Sequence, residues 1–196
     1  QFKRELATEI SAILAFSAIK NNDKVGVIFF SNIIEEFIPP KKGKSHILRI
    51  IRQVLAFEAK EKKTDISLAI EYFNNVMKKR TICFVLSDFL SPEFEKPLKI
   101  ASKKHDIIAL RIFDKRENSL PNVGIIPLQD AENNSISYVD TSSKKVRETF
   151  NNKQEEKKAY LKKLFPKCGV DMIDISTGSD YVKPLMNFFK NRGKRR

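Results

Sequence analysis

Three short, nearly unbroken apolar runs constrain what this chain can become: Val25 to Phe30, Ile82 to Leu86 and Ile107 to Phe113. Each predicts a buried strand, and a further strand is expected at Val170 to Ile175. Between them the apolar residues recur at helical spacing. Leu6, Ile10, Ile13, Leu14 and Phe16 mark a first helix, and Ile47, Leu48, Ile50, Ile51, Val54 and Leu55 a second. Ile66, Ala69, Ile70, Phe73, Val76 and Met77 mark a third. Strands alternating with helices predict a doubly wound α/β domain, a mostly parallel sheet with helices on both faces.

Punctuation residues bound these elements. Asn21 to Asp23 end the first helix. A second strand, Ile34 to Ile38, is expected to stop at Pro39 and Pro40 and to form an antiparallel edge, because proline gives no ladder donor. Ser45 and Thr64 are expected to cap the second and third helices, and Ser91 with Pro92 to start a fourth. Val123 to Leu128 and Ile136 to Val139 suggest an outlying hairpin. A long charged helix is expected from about Ser143 to Phe165, and a last one through Leu185, Phe188 and Phe189. No stretch reads as a linker, so residues 1–196 are expected to form one domain with a basic tail at 190–196.

Composition narrows the chemistry. The 196 residues are 41% hydrophobic and 31% charged, as globular domains are. No apolar run nears the ~20 residues needed to cross a bilayer. Two cysteines, Cys83 and Cys168, cannot make a disulfide scaffold, which points to a reducing, cytoplasmic setting. Cys83 lies inside a strand and Cys168 just before one, so both are expected to be inert. His46 and His105 stand at element ends, near no nucleophile motif, and are expected to be surface groups. With six glycines there is no phosphate-cradling loop, and an enzyme is not expected. The net charge is +13, and Lys190, Arg192, Lys194, Arg195 and Arg196 supply five of those units. That tail reads as solvated, or else as a patch for nucleic acid or an anionic membrane. Lys41, Lys42 and Lys44 guard the edge strand in the same way. The chain opens at Gln1 on amphipathic sequence, with no initiator Met and no leader, and is expected to be the inner part of a longer protein.

Open α/β sheets bind ligands beyond the carboxyl ends of their strands. Two stretches put oxygen-bearing side chains there: Thr64-Asp65 ahead of a helix and Ser87-Asp88-Phe89 after a strand. Asp114, Arg116 and Glu117 follow the third strand and border the same region, or form only a local ion-pair turn. Such oxygens suit a hard cation, Mg²⁺ above all. They equally suit an N-cap and a loop carboxylate.

The segments KRELATEISAILAFSAIKNNDKVGVIFFS, FIPPKKGKSHILRIIRQVL, KKTDISLAI, FVLSDF, LRIFDKRE, DAE, YVDTSSKKVRE and YVKPLMNFFKNR, in this order and spacing, resemble a bacterial family known as domain of unknown function fifty-eight. That family is von Willebrand factor A-like, of Rossmann-like topology, and is commonly encoded beside MoxR-type AAA+ ATPases. The resemblance implies a metal-ion-dependent adhesion site in which Thr64 and Asp88 are ligands, direct or through water, with Asp65 and Ser87 orienting them. It also implies an Asp-x-Ser-x-Ser loop and a central strand ahead of Lys3, outside this chain. Mg²⁺ or Mn²⁺ is then expected in the full-length protein. Two oxygens are too few to dehydrate Mg²⁺, so none is expected on this fragment. The implied function is a non-enzymatic adaptor or co-chaperone of the ATPase, meeting a partner carboxylate at the cation, in the cytoplasm or peripheral to the membrane. The alternative is electrostatic binding of nucleic acid or an anionic membrane through the tail.

Overall fold

A computed structural model describes residues 2–61, 63–91, 93–129 and 135–193. In chain order it contains α1 (Lys3–Lys20), β1 (Val25–Phe30), β2 (Ile34–Lys41), α2 (Lys44–Ala56), α3 (Ile66–Val76), β3 (Ile82–Ser87) and α4 (Glu95–Lys104). There follow β4 (Asp106–Phe113), a 3₁₀ turn at Lys115–Asn118, β5 (Ile125–Gln129), β6 (Ile136–Asp140), α5 (Lys144–Lys167), β7 (Asp171–Ser176) and α6 (Val182–Gly193). The class is α/β, as expected, but the strands form three ladders rather than one sheet. β1 pairs with β2 and β5 with β6, both antiparallel, while β3, β4 and β7 make a parallel sheet in that order. The β1–β2 ladder has the antiparallel sense that a short turn enforces, as expected of the edge strand, and among the described residues no ladder joins β1 to β3.

Contacts gather into two compact units, Gln1–Thr81 with Leu90–His105, and Ile82–Phe89 with Asp106–Arg196. In the first, α1 packs on α2, α2 on β1, and α3 on α4 and the β1–β2 ladder. Phe29, Ile38 and Ile50 are buried together with Val25, Val27, Val54 and Phe57 around them. Phe29 and Phe57 stack at 4.3 Å. Leu6 and Ile10 of α1 are fully buried, each contributing roughly 1.5–3 kcal/mol.

Strand β2 runs through Pro39 and Pro40 instead of stopping before them. The register moves from Val27↔Ile38 to Val25↔Lys41, one extra residue on β2, so the prolines fall in a bulge where the ladder needs no donor from them. Gly26 lies opposite. A Cβ there would stand 2.7 Å from the Ile38 carbonyl oxygen and 2.9 Å from the Pro40 nitrogen, so only glycine admits this approach.

Three expected caps move. Gly43, at φ 107°, caps α2 in place of Ser45. Asp65 caps α3 in place of Thr64, its carboxylate accepting the Leu68 N–H at 3.0 Å from an extended backbone. Helix α4 begins at Glu95 behind Phe94, because Glu93 is left-handed at φ 54° and interrupts any helix started at Ser91. Pro92 lies outside the described residues, as does the DAE segment at 130–132.

In the second unit β4 is the central strand, and its six consecutive residues Ile107, Ile108, Ala109, Leu110, Arg111 and Ile112 are all buried. Helices α5 and α6 both pack against β7. The β5–β6 hairpin forms as the alternation predicts, with Pro127 opposite Tyr138.

Candidate functional site

The first unit carries Thr64 and Asp65 on the loop that leads into α3. Asp65 is fixed twice, by its own cap on Leu68 and by its N–H, which donates to the Ser31 carbonyl at 2.9 Å. The next N–H, of Ile66, donates to Ser91 Oγ at 3.4 Å. Thr64 itself is exposed. The same loop is held further back by Glu35 of β2. Its Oε1 accepts the Ser31 hydroxyl at 2.8 Å and the N–H groups of Lys60 at 3.0 Å and Glu61 at 3.3 Å. The Ser31 hydroxyl above all, with the Glu61 and Lys60 amides, holds the Glu35 carboxyl below its ordinary range. Local sequence does not announce Glu35's role, since the two amides it gathers lie 25 and 26 residues away.

The second unit carries Ser87, Asp88 and Asp114 at the carboxyl edge of the parallel sheet. Ser87 closes β3, and its Oγ accepts the Phe89 N–H at 3.1 Å. Asp88 follows, half-buried. Phe89 then turns through a left-handed φ of 57° and buries its ring against Phe165, edge to face at 5.0 Å. Asp114 follows β4 and caps the 3₁₀ turn, its Oδ1 accepting the Arg116 N–H at 2.8 Å, so that stretch includes a backbone cap and not simply a side-chain ion pair. One row inward, Ser87, Arg111 and Asp174 stand in register across the three strands. Arg111 is buried, with Nε 3.4 Å from Asp174 Oδ1 and its guanidinium 4.7 Å above the Phe113 ring. A signal for Arg111 existed, since it is the single charged residue inside the apolar run Ile107 to Phe113.

The basic tail is less free than its sequence suggests. Lys190 and Arg192 belong to α6. Arg192 pairs through Nη2 with Asp106 and through Nη1 with Asp171 Oδ2 at 3.0 Å, bridging the first residues of β4 and β7, and sits against Phe188. Lys194, Arg195 and Arg196 lie outside the described residues.

His46 places Nε2 2.9 Å from the Val25 carbonyl oxygen. His105, expected at the surface, is 2% exposed, tilted against Phe73 at 4.6 Å, with neither ring nitrogen hydrogen-bonded. It ends α4, whose last turn packs inward on α3. Burial, seconded by the neighbouring Lys104 charge, lowers its pKa from the ordinary 6.5. The unfolded chain therefore binds the proton first. Stability should be complete above pH 6.5 and fall as the pH drops below it towards the folded-state value. Urea titrations between pH 5 and 8 should show that slope in the wild type and a flatter one in His105→Phe; equal slopes would contradict it. Burial also pushes the Cys83 thiol up to about 12, which keeps it protonated and unreactive.

Thr64 and Asp88 offer one hydroxyl and one carboxylate, and among the described residues no group of three or more His, Cys, Asp or Glu is placed to hold a metal. One hydroxyl and one carboxylate are a sparse donor set for Mg²⁺, whose remaining positions would fall to water or to other ligands. Among the described residues no helix is long and apolar enough to cross a membrane.

Two solved structures share the fold. A conserved hypothetical protein BatB from Bacteroides thetaiotaomicron matches 97% of this chain and 88% of its own, with a TM-score of 0.56 at 14% identity. An aerotolerance-related membrane protein from Bacteroides fragilis matches 87% of this chain and 81% of its own, with a TM-score of 0.50 at 15% identity. Among sequences, uncharacterized proteins Rv1480 of Mycobacterium tuberculosis and Mb1516 of Mycobacterium bovis are each 23% identical over 193 residues. Those matches cover 97% of this chain but 61% of the relatives, so the chain spans less than two thirds of their length. Uncharacterized protein MAV169 of Mycobacterium avium is 26% identical over 129 residues, 65% of this chain and 76% of that protein. Residues 1–160 match the family described as "Protein of unknown function DUF58", and the chain belongs to that family.

Proposed function

We propose that this chain is the greater part of a non-enzymatic protein-interaction module, an adaptor or co-chaperone for a MoxR-type AAA+ ATPase. The observation that carries the reading is the carboxyl edge of the parallel sheet, where Ser87 and Asp88 follow β3 and Asp114 follows the adjacent β4. Open α/β sheets present ligands at that edge, and an acidic, oxygen-rich edge suits a cationic or cation-bridged partner surface. The family resemblance supports the choice of ATPase and a contribution from Thr64. It also supports a von Willebrand factor A-like topology for the complete protein, with Mg²⁺ or Mn²⁺ completed by ligands from outside this chain. Fold alone would not fix the partner. A position at the membrane periphery draws support from the Bacteroides fragilis neighbour, an aerotolerance-related membrane protein.

Pull-down of the co-encoded ATPase by the full-length protein tests the reading. Asp88→Ala is expected to lower capture about tenfold, equivalent to roughly 1.4 kcal/mol. EDTA should lower it as far if a cation bridges the partners. Undiminished capture by Asp88→Ala would overturn the proposed edge. The tail alternative is weakened by the ion pairs of Arg192. Binding that disappears with residues 194–196, and with salt, would restore it.

A further inference from the structure

The oxygen network around Glu35 lies entirely in the first unit and converges on one loop. From the strand side, Ser31 is 3% exposed, and its backbone bonds its own turn through Ile33. Its hydroxyl is donated to Glu35, and its carbonyl receives the Asp65 N–H. From the loop side, Lys60 and Glu61 direct their amides at the same Glu35 oxygen. Asp65 and Ile66 are then tied to Ser31 and Ser91. The segment between these anchors contains Thr64, which is exposed. Anchors at residues 60, 61 and 65 flank this exposed hydroxyl-bearing residue, an arrangement that suits a presented ligand. Its entropy has been lost on folding and is not lost again on binding.

We propose that Glu35, acting through Ser31 and the amides of Lys60 and Glu61, is a positioning residue that sets the loop carrying Thr64 for partner binding. The inference rests on the binding reading above, in which Thr64 contributes to partner binding. Glu35 touches no partner in it. Its carboxylate gathers three donors from the loop and the strand turn, and charge-assisted bonds of this kind are about twice as strong as neutral ones. Removing the carboxylate frees the loop at 60 and 61 while leaving the Asp65 cap and the Ser31 carbonyl bond in place. The effect is therefore a widened set of Thr64 positions and not an unfolded helix.

The test uses the full-length protein with Glu35→Ala, Glu35→Gln, Thr64→Ala and Asp88→Ala. Amide exchange at Lys60 and Glu61 is read by NMR, and ATPase capture by pull-down. Glu35→Ala is expected to speed exchange of both amides about tenfold or more. It should also bring capture down towards the level of Thr64→Ala, with the melting temperature within a few degrees of wild type. Glu35→Gln keeps an acceptor oxygen and is expected to restore most of both, a rescue that a merely structural role would not produce. Unchanged exchange in Glu35→Ala would overturn the clasp. Accelerated exchange with wild-type capture, while Thr64→Ala binds poorly, would overturn the positioning role alone. If Thr64→Ala and Asp88→Ala both capture normally, the binding reading itself fails and the positioning role falls with it.

Discussion

Arg192→Ala is expected to destabilise the chain by about 3 kcal/mol, whereas Lys190→Ala, two positions away, should change stability by less than about 0.5 kcal/mol. Both residues belong to one basic stretch in the sequence, yet their surroundings differ. Lys190 is exposed. The Arg192 side chain is 23% exposed and bridges Asp106, 10% exposed, and Asp171. Truncating it leaves two carboxylates at the amino edge of the parallel sheet without the cation that joins them, and breaking a largely buried pair costs far more than losing a surface charge. It also releases the last turn of α6 from the strands it crosses. Urea unfolding of the two variants reads the contrast directly. Equal, small losses would show that Arg192 is only a surface charge and would return it to the tail. Because the pair is shielded, the difference should persist at high salt.

Gly26→Ala is expected to cost about 3 kcal/mol, at the upper end for an added methyl group. The new Cβ would meet backbone atoms of Ile38 and Pro40, and neither can swing aside as a side-chain tip could. Relief requires the strands to part or the bulge to shift, and a one-residue shift would turn Phe29 and Ile38 away from the core they share with Ile50. Chemical denaturation together with amide exchange along β1 would register the loss. A near-neutral substitution would mean that the prolines of β2 are more yielding than this register allows.

The two residues illustrate what the sequence discloses and what it hides. Apolar periodicity is local, and it located β1, β4, the hairpin and the long helix closely. The positions that went astray depend on backbone geometry or on distant partners. Thr64 and Asp65 are both good caps, and only the extended backbone at 65 decides between them. Pro39 and Pro40 forbid a regular ladder but not a bulge, and the bulge depends on a glycine 13 and 14 residues upstream. The β5–β6 hairpin stands apart as expected, while the order β3-β4-β7 is a long-range choice that composition does not encode. At the candidate edge, Ser87, Asp88 and Asp114 were legible as residues that follow strands. Glu35 was not, because nothing near it in the chain announces the amides it gathers. Arg111 was legible in principle, as the one charge inside Ile107 to Phe113, but its partner was not, since Asp171 and Asp174 stand in the same short strand.

The left-handed turn at Phe89 gives Asp88 a mechanical neighbour. A non-glycine residue in that conformation carries strain of order 1–2 kcal/mol. Burying the phenyl ring contributes roughly 2–3 kcal/mol in the other direction, so the turn is held under tension by its own side chain. The ring bears on Phe165, near the end of α5. Asp88 is thereby tied, through the turn that follows it, to the end of a helix of its own unit.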